Sequence, residues 1–353
     1  MMLDDLERFR SLDPQGMLGE IDGLPDQLQT AWNLGQKLPL ADISGVRQVI
    51  IAGMGGSAIG GDLLAAYAEP MCAVPIAVWR GYDLPAYADG PTTLVVASSH
   101  SGNTEETLSA FARGAESGVQ RLAVTTGGDL ARQADAQGVP LWHFKHAGQP
   151  RAAVGYSFGL LLAALTRLGL IPDPEDELAD AVAGMRQQQT NLRAEVPVVQ
   201  NPAKRMAGQM MDRWPTIVGA GLLAPVARRW RTQIAELAKA VAQFETLPEA
   251  DHNMVAGVVN PASLFGSTMM LFLRATGDHP RILERVDVTK EIFMVEGFNT
   301  DFVHAQGETR LAQQWTTLHF GDYTAYYLAM TYNVDPTPVD AIEDLKARLR
   351  VMG

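Results

Sequence analysis

The chain has 353 residues, 47% of them hydrophobic and 19% charged, which is apolar enough to bury large cores, too long for one small core, and unlike a disordered chain. Its net charge of −12 argues against nucleic acid, because a phosphate backbone needs a basic face, although local donors at a helix start still suit one small anion. No apolar run approaches a membrane span, the N-terminus MMLDDLERFRSLD is acidic where a secretory signal is basic, and the lone Cys72 has no Cys or His cluster around it, so the expectation is a cytoplasmic protein with no membrane contact, no disulfide, no metal and no cofactor.

Taken in chain order, a helical lead-in runs to about Leu40. The run QVIIA (48–52) then ends in glycines and is followed by helix-like GDLLAAYAE, which reads as strand, loop, helix. A second such unit is TTLVVASS, the polar loop HSGNT, and EETLSAFARGAESG; a third strand, RLAVTT, ends at Gly127 and Gly128. Strands alternating with helices at this interval predict a parallel, doubly wound α/β sheet. After the apolar helix candidate in PRAAVGYSFGLLLAALTRLGL, the proline- and acid-rich IPDPEDE marks a linker at about 171–177.

The second half echoes the first. PTIVGAGLLAPVARRW follows the pattern of QVIIAGMGGSAIGGDL, and STMMLFLRATGDHPRILERVDVTKEIF that of TTLVVASSHSGNTEETLSAF. The expected division is a lead-in at 1–40, one α/β domain at 41–170, another at 178–332, and at 333–353 a tail helix packed back on the body.

Two loops carry the chemistry. In GMGGSAIGGD (53–62), glycines let the backbone approach a ligand and Ser57 adds a hydroxyl at a helix start. Alternatives are a tight turn without ligand, or a dinucleotide site through Gly53, Gly55 and Ala58; the next strand ends at Trp79-Arg80 rather than on an acid, although an arginine there could still accept a 2′-phosphate. In SSHSGNTEE (98–106), Ser99, Ser101 and Thr104 surround Gly102 at the mouth of another helix, making a small-anion cradle that a dinucleotide site does not need. A capping box from Thr104 would require Glu or Gln at Thr107, so capping accounts for at most one hydroxyl.

Gly55-Gly56-Ser57 together with Ser99-x-Ser101-Gly102-Asn103-Thr104 resembles the sugar isomerase (SIS) domain, and the order along the chain from about residue 45 resembles the bifunctional phosphoglucose/phosphomannose isomerases, which carry two SIS domains. The resemblance implies two flavodoxin-like domains in tandem and a sugar-phosphate substrate. It implies aldose-ketose isomerisation of glucose-6-phosphate, with mannose-6-phosphate as its C2 epimer, to fructose-6-phosphate. That reaction moves a proton between C1 and C2 through an enediolate and needs a base, a ring opener and a cation near the oxyanion.

On the same resemblance Glu236 is the base, His252 opens the ring from a neighbouring subunit and so implies a homodimer, Arg151 lies near the C1–C2 oxygens, and Lys346 assists at the ring oxygen. Plainer readings stand beside each. Glu236 suits an i,i+3 pair with Lys239, His252 a surface turn, Arg151 an interdomain salt bridge, and Lys346 an i,i+3 pair with Glu343. Ala235 and Leu237 stand where the family has asparagines, which predicts a more apolar setting for the base; Asp251 and Met254 depart around His252. Other functions that fit less well are a non-catalytic sugar-phosphate sensor, an NADP-dependent oxidoreductase and an aminosugar synthase.

Overall fold

Three helices open the chain, α1 (Leu6–Leu12), α2 (Met17–Asp22) and α3 (Leu24–Gly35), in a computed structural model that describes residues 2–40 and 42–352. The β-branched run then forms β1 (Gln48–Ala52), with Val49, Ile50 and Ile51 buried on both faces of a sheet. Alternation follows through α4 (Gly55–Ala68), β2 (Ile76–Trp79), β3 (Thr93–Ser99), α5 (Glu105–Glu116), β4 (Gln120–Thr125), α6 (Gly128–Ala136) and β5 (Leu141–His143). All five strands are parallel, in the order β2-β1-β3-β4-β5. Every residue of β3 is buried, as expected of a central strand with helices on both sides.

The chain order reverses between β1 and β3, and Ala52 pairs with Ala97. The glycine loop after β1 and the serine loop after β3 therefore emerge side by side, at the crevice where open α/β sheets bind ligands.

Helix α7 (Val154–Arg167) packs on α3 and α4. The acids of the expected linker instead open α8 (Glu175–Leu192), where negative side chains suit the positive end of the helix dipole, leaving a short connection before it. After α9 (Pro202–Met210) comes a second parallel sheet, built from β6 (Trp214–Ala220), α10 (Ala224–Leu237), β7 (Gln243–Leu247), β8 (Thr268–Arg274), α11 (Pro280–Val295) and β9 (Asn299–His304). Its order β7-β6-β8-β9 repeats β2-β1-β3-β4 of the first sheet, so the echo seen in sequence is an echo of topology.

Helix α12 (Arg310–Tyr332) is buried along nearly its whole length and packs against α8, α9 and α10. Gly321 leaves the room that the Trp230 indole occupies, and that indole donates to the Thr317 carbonyl at 3.0 Å. Helix α13 (Asp340–Met352) forms as expected, but it does not pack back on the body. Ile342, Leu345 and Leu349 are exposed, and its charges pair within the helix, Lys346 with Glu343 and Arg348 with Asp344.

His319, in the middle of α12, is fully buried. Its Nε2 lies 2.8 Å from the Ile21 carbonyl and its Nδ1 is 3.3 Å from the Gln188 amide, partners that suit a neutral ring protonated at Nε2. Burial pushes His319 down to about 4. An unfolded chain takes up this proton near the ordinary histidine value of about 6.5, so between there and about 4 the unfolded state binds more protons and stability falls with falling pH. Melting temperature is expected to drop progressively from pH 7 to pH 4.5, and less steeply in His319→Gln; an equal slope in the two proteins would place the acid sensitivity elsewhere.

Candidate active site

The serine loop is held from several sides. Gly102 has φ +68, and a side chain there would collide with the Gly127 carbonyl. The His100 N–H donates to Ser57 Oγ at 3.2 Å, Ser99 Oγ lies 2.9 Å from Thr104 Oγ1, and the Gly102 N–H donates to Ser99 Oγ at 3.1 Å. Thr104 is the N-cap residue of α5, yet its side chain makes no cap bond. The first N–H groups of α5 therefore have no side-chain cap, as an anion site at a helix start requires. Ser57 and Ser99 are buried, Thr104 half-buried and Ser101 exposed.

Arg151 comes to the same place from the turn Pro150–Ala152 before α7. Gly56 is what lets that turn in, since a Cβ at 56 would lie 2.5 Å from the Pro150 carbonyl. The Arg151 side chain is buried, donates to the Pro336 and Thr337 carbonyls at 2.9 and 2.5 Å, and stands 3.5 Å from the Glu236 carboxylate. Burial draws its guanidinium below the ordinary arginine range, and Glu236 pulls it back. At 3.5 Å the pair is looser than an ordinary hydrogen bond.

Glu236, near the end of α10, is partly open, its side chain 28% exposed. Lys239 does not pair with its carboxylate, because the ammonium donates to the Glu236 backbone carbonyl instead. The apolar setting expected from Ala235 and Leu237 is not what surrounds it: Leu237 points into the core, and Glu236 faces a cavity of about 200 Å³ lined by Gly55, Gly56, Ile59, Thr232 and four arginines, Arg80, Arg151, Arg228 and Arg229. Larger hollows exist, one of about 360 Å³ beside His304, but that one contains neither a glycine loop nor Arg151.

Sequence reasoning overlooked Arg228, Arg229 and Thr232, and weighed Arg80 only for a dinucleotide. A signal was present, because Arg229 and Thr232 precede Glu236 by seven and four positions and share its helix face. Arg229 is buried against Asp322 of α12 at 2.7 and 3.2 Å and also donates to the Arg151 carbonyl at 2.9 Å. Burial raises the Asp322 carboxyl, with Arg229 opposing. Arg80 and Arg228 share the Asp62 carboxylate at 2.5 and 2.9 Å, a bridge between the two halves. Arg80 is thereby engaged by an acid, which weakens the dinucleotide reading.

The cavity's lining includes Gly55 and Gly56 but not Ser57, Ser99, Ser101 or Thr104, and it does not include His252 or Lys346. His252 is exposed at the end of the turn Glu249–His252, with its neighbour Asp251 tied to Arg285 and Thr289. Lys346 lies on the exposed α13, paired to Glu343 at 2.9 Å, which is the plainer of its two readings. Among the described residues no cluster of His, Cys, Asp and Glu is arranged to hold a metal ion, and no helix is long and apolar enough to cross a membrane.

A chain from Caldicellulosiruptor bescii described as a bifunctional phosphoglucose/phosphomannose isomerase is 38% identical over 94% of this chain and 98% of its own length. This chain belongs to that family. A second relative with the same description, from Aquifex aeolicus, is 33% identical over 88% of this chain and 92% of its own. Residues 199–349 match the model of the bacterial phospho-glucose isomerase C-terminal SIS domain. The fold is shared with the crystal structure of a glucose-6-phosphate isomerase like protein from Thermus thermophilus, with a TM-score of 0.65 at 22% identity, covering 96% of this chain and 98% of that one.

Removing one partner of a buried, hydrogen-bonded ion pair leaves a charge stranded. Asp322→Ala is therefore expected to cost about 3–5 kcal/mol, whereas Glu116→Ala, which breaks an exposed pair with Arg113, should cost about 0–1 kcal/mol. Denaturant unfolding curves distinguish the two, and equal midpoints would mean that the Asp322 site relaxes or fills with water.

Proposed function

We propose that this chain interconverts glucose-6-phosphate, and its C2 epimer mannose-6-phosphate, with fructose-6-phosphate by a proton transfer that needs no metal ion. The observation that carries the reading is the Glu236 carboxylate beside the Arg151 guanidinium, in a cavity that opens on the Gly55-Gly56 helix start. A carboxylate of moderate basicity next to a fixed cation suits removal of a proton from carbon, because the charge that develops on the neighbouring oxygens has a counter-charge in place.

In this reading the phosphate is held by Ser57, Ser99, Ser101 and Thr104 together with the backbone N–H groups of Gly55 and Gly56. With the sugar anchored at that end, Glu236 takes the C2 proton of the open aldose. The C2–H electron pair forms the C1–C2 double bond and the carbonyl pair moves to O1, giving an enediolate opposite Arg151. The O2 hydroxyl proton then passes to O1, the O2 electron pair forms the C2 carbonyl, and the C1–C2 double-bond pair takes the proton back from Glu236 at C1, which yields the ketose. Glucose and mannose differ only at C2, and both lose that stereocentre in this intermediate, so one pocket serves both. Arg229 acts through the Arg151 backbone, which it fixes. Ring opening is assigned to His252 of a neighbouring subunit, whose exposure on an outward turn supports that role, in a homodimer with two equivalent sites. Lys346 at the ring oxygen has only the family resemblance behind it and requires α13 to leave its exposed position. A soluble cytoplasmic setting fits this reading.

A coupled assay of the purified protein with fructose-6-phosphate, scoring glucose-6-phosphate and mannose-6-phosphate separately, tests the function. Both products are expected, and Glu236→Gln should lower kcat by about 100-fold or more with KM little changed. A near-normal turnover in that variant would remove Glu236 from the chemistry. For assembly, Glu236→Gln and His252→Ala proteins, each inactive, should regain activity when partly dissociated and reassembled together, since a mixed dimer has one site with both groups. Absence of recovery in proven mixed dimers places His252 elsewhere.

A further inference from the structure

The serine loop contains one side chain that the proposed chemistry does not use. His100 sits between Ser99 and Ser101, its backbone pinned by Ser57 on one side and by the Thr126 N–H and hydroxyl, at 3.1 and 2.6 Å, on the other. Nε2 of its ring meets His146 Nδ1 at 2.9 Å with the rings nearly perpendicular. His146 Nε2 in turn meets the Glu20 carboxylate of α2 at 3.1 Å. The His146 side chain is 8% exposed, and Glu20 is 34% exposed, so the chain leads from the loop to solvent.

Its surroundings are shaped to hold it. Phe144 lies edge-on to His100 and stacks on Tyr156, which packs against His146. A Cβ at Gly148 would stand 2.6 Å from Glu20 Oε1 and 2.8 Å from His146 Cε1, so a side chain there would push the carboxylate off the ring. The ionisable groups around His100 are thus His146, Glu20 and the Tyr156 phenol, which burial and Glu20 both raise.

We propose that Glu20, His146 and His100 form a positioning relay that controls which nitrogen of His100 carries a proton beside the phosphate loop, and so tunes the affinity of that loop for a dianionic phosphate. This rests on the assignment of the phosphate to Ser57, Ser99, Ser101 and Thr104. The hydrogen placement follows from the acceptors. An ionised Glu20 only accepts, so His146 Nε2 carries a hydrogen. When His146 is neutral, its Nδ1 accepts from His100 Nε2–H, and His100 Nδ1 has only a lone pair. When His146 is protonated, it donates from both nitrogens. His100 then accepts at Nε2, and its own hydrogen sits on Nδ1, the nitrogen nearer the loop backbone.

Burial and the nearby His146 push His100 down to about 4, and of the two rings only His146 has a carboxylate, Glu20, within hydrogen-bond reach to balance an added charge. The second state offers the loop an N–H donor and a net proton's charge, while the first offers a lone pair that repels an anion. By linkage, anion binding and protonation of the relay strengthen each other. The proton comes from water through the Glu20 end, and no covalent bond to carbon is involved.

The probe is sulfate, a dianion whose charge does not change between pH 6 and 8, with its binding to the full chain followed by calorimetry. Wild-type protein should bind sulfate about tenfold more tightly at pH 6 than at pH 8, a difference of the size of one charge-assisted hydrogen bond. Glu20→Gln keeps an acceptor but loses the charge, and His146→Gln keeps a polar link but cannot take the proton. Both should bring the ratio close to one and, at pH 6, raise KM for fructose-6-phosphate several-fold with kcat changed less than about twofold. A pH ratio in either variant equal to that of wild type, or a loss in kcat with KM intact, overturns the relay. Sulfate that does not bind the wild type overturns the phosphate assignment and the relay together. Sulfate binding with the expected pH ratio in a protein without isomerase activity leaves the relay standing and ends the proposed function instead.

Discussion

The Arg229–Asp322 pair joins α10 to α12 at a point from which water is excluded. Two charges there cost several kcal/mol of lost hydration, a cost offset only if every donor finds an acceptor. Arg229 meets this by bonding both carboxylate oxygens and then donating a further N–H to the Arg151 carbonyl. That last bond fixes the turn carrying Arg151, whose guanidinium spans from the Pro336 and Thr337 carbonyls to Glu236. The position of the Glu236 carboxylate relative to Arg151 is thus set from inside the protein, by helix packing, and not by the loops at the rim.

The two sheets share a strand order, but their loops differ. Where the first glycine loop carries Gly55, Gly56 and Ser57, the corresponding GAGLLA segment carries Leu222, Leu223 and Ala224, and both leucines are buried. The second half contributes a helix instead. Glu236 of that helix faces a cavity that also takes in Gly55 and Gly56 of the first half's glycine loop.

Much of this was legible in the sequence, for identifiable reasons. Short β-branched runs ending in glycine give strands and loops because a buried parallel strand has no polar face and a sharp exit needs φ > 0, as at Gly102. The serine-threonine cluster was legible because three hydroxyls at one helix mouth exceed what capping requires. Helix α12 was not legible: RLAQQWTTLHFGDYTAYYLAMTY is buried on all sides, so it lacks the polar stripe that betrays a surface helix, and it carries an internal glycine that only the Trp230 packing explains. Its Asp322, and with it the role of Arg229, was hidden for the same reason. The tail showed the reverse. Its amphipathic pattern correctly gave a helix, but an apolar stripe says that a helix can be covered and not what covers it. Lys346 followed the tail, and the setting of Glu236 was misjudged because its sequence neighbours lie on a different face of the helix from the arginines it meets in space.

Arg151 takes its carbonyl acceptors from residues 185 and 186 positions further along the chain. During synthesis by the ribosome the first sheet, the glycine loop and the serine loop are all made long before those acceptors exist. A nascent chain therefore passes through a stage in which both loops have been made but the guanidinium still lacks the two carbonyls that fix its far end, so its final placement waits for the last stretch of chain to emerge.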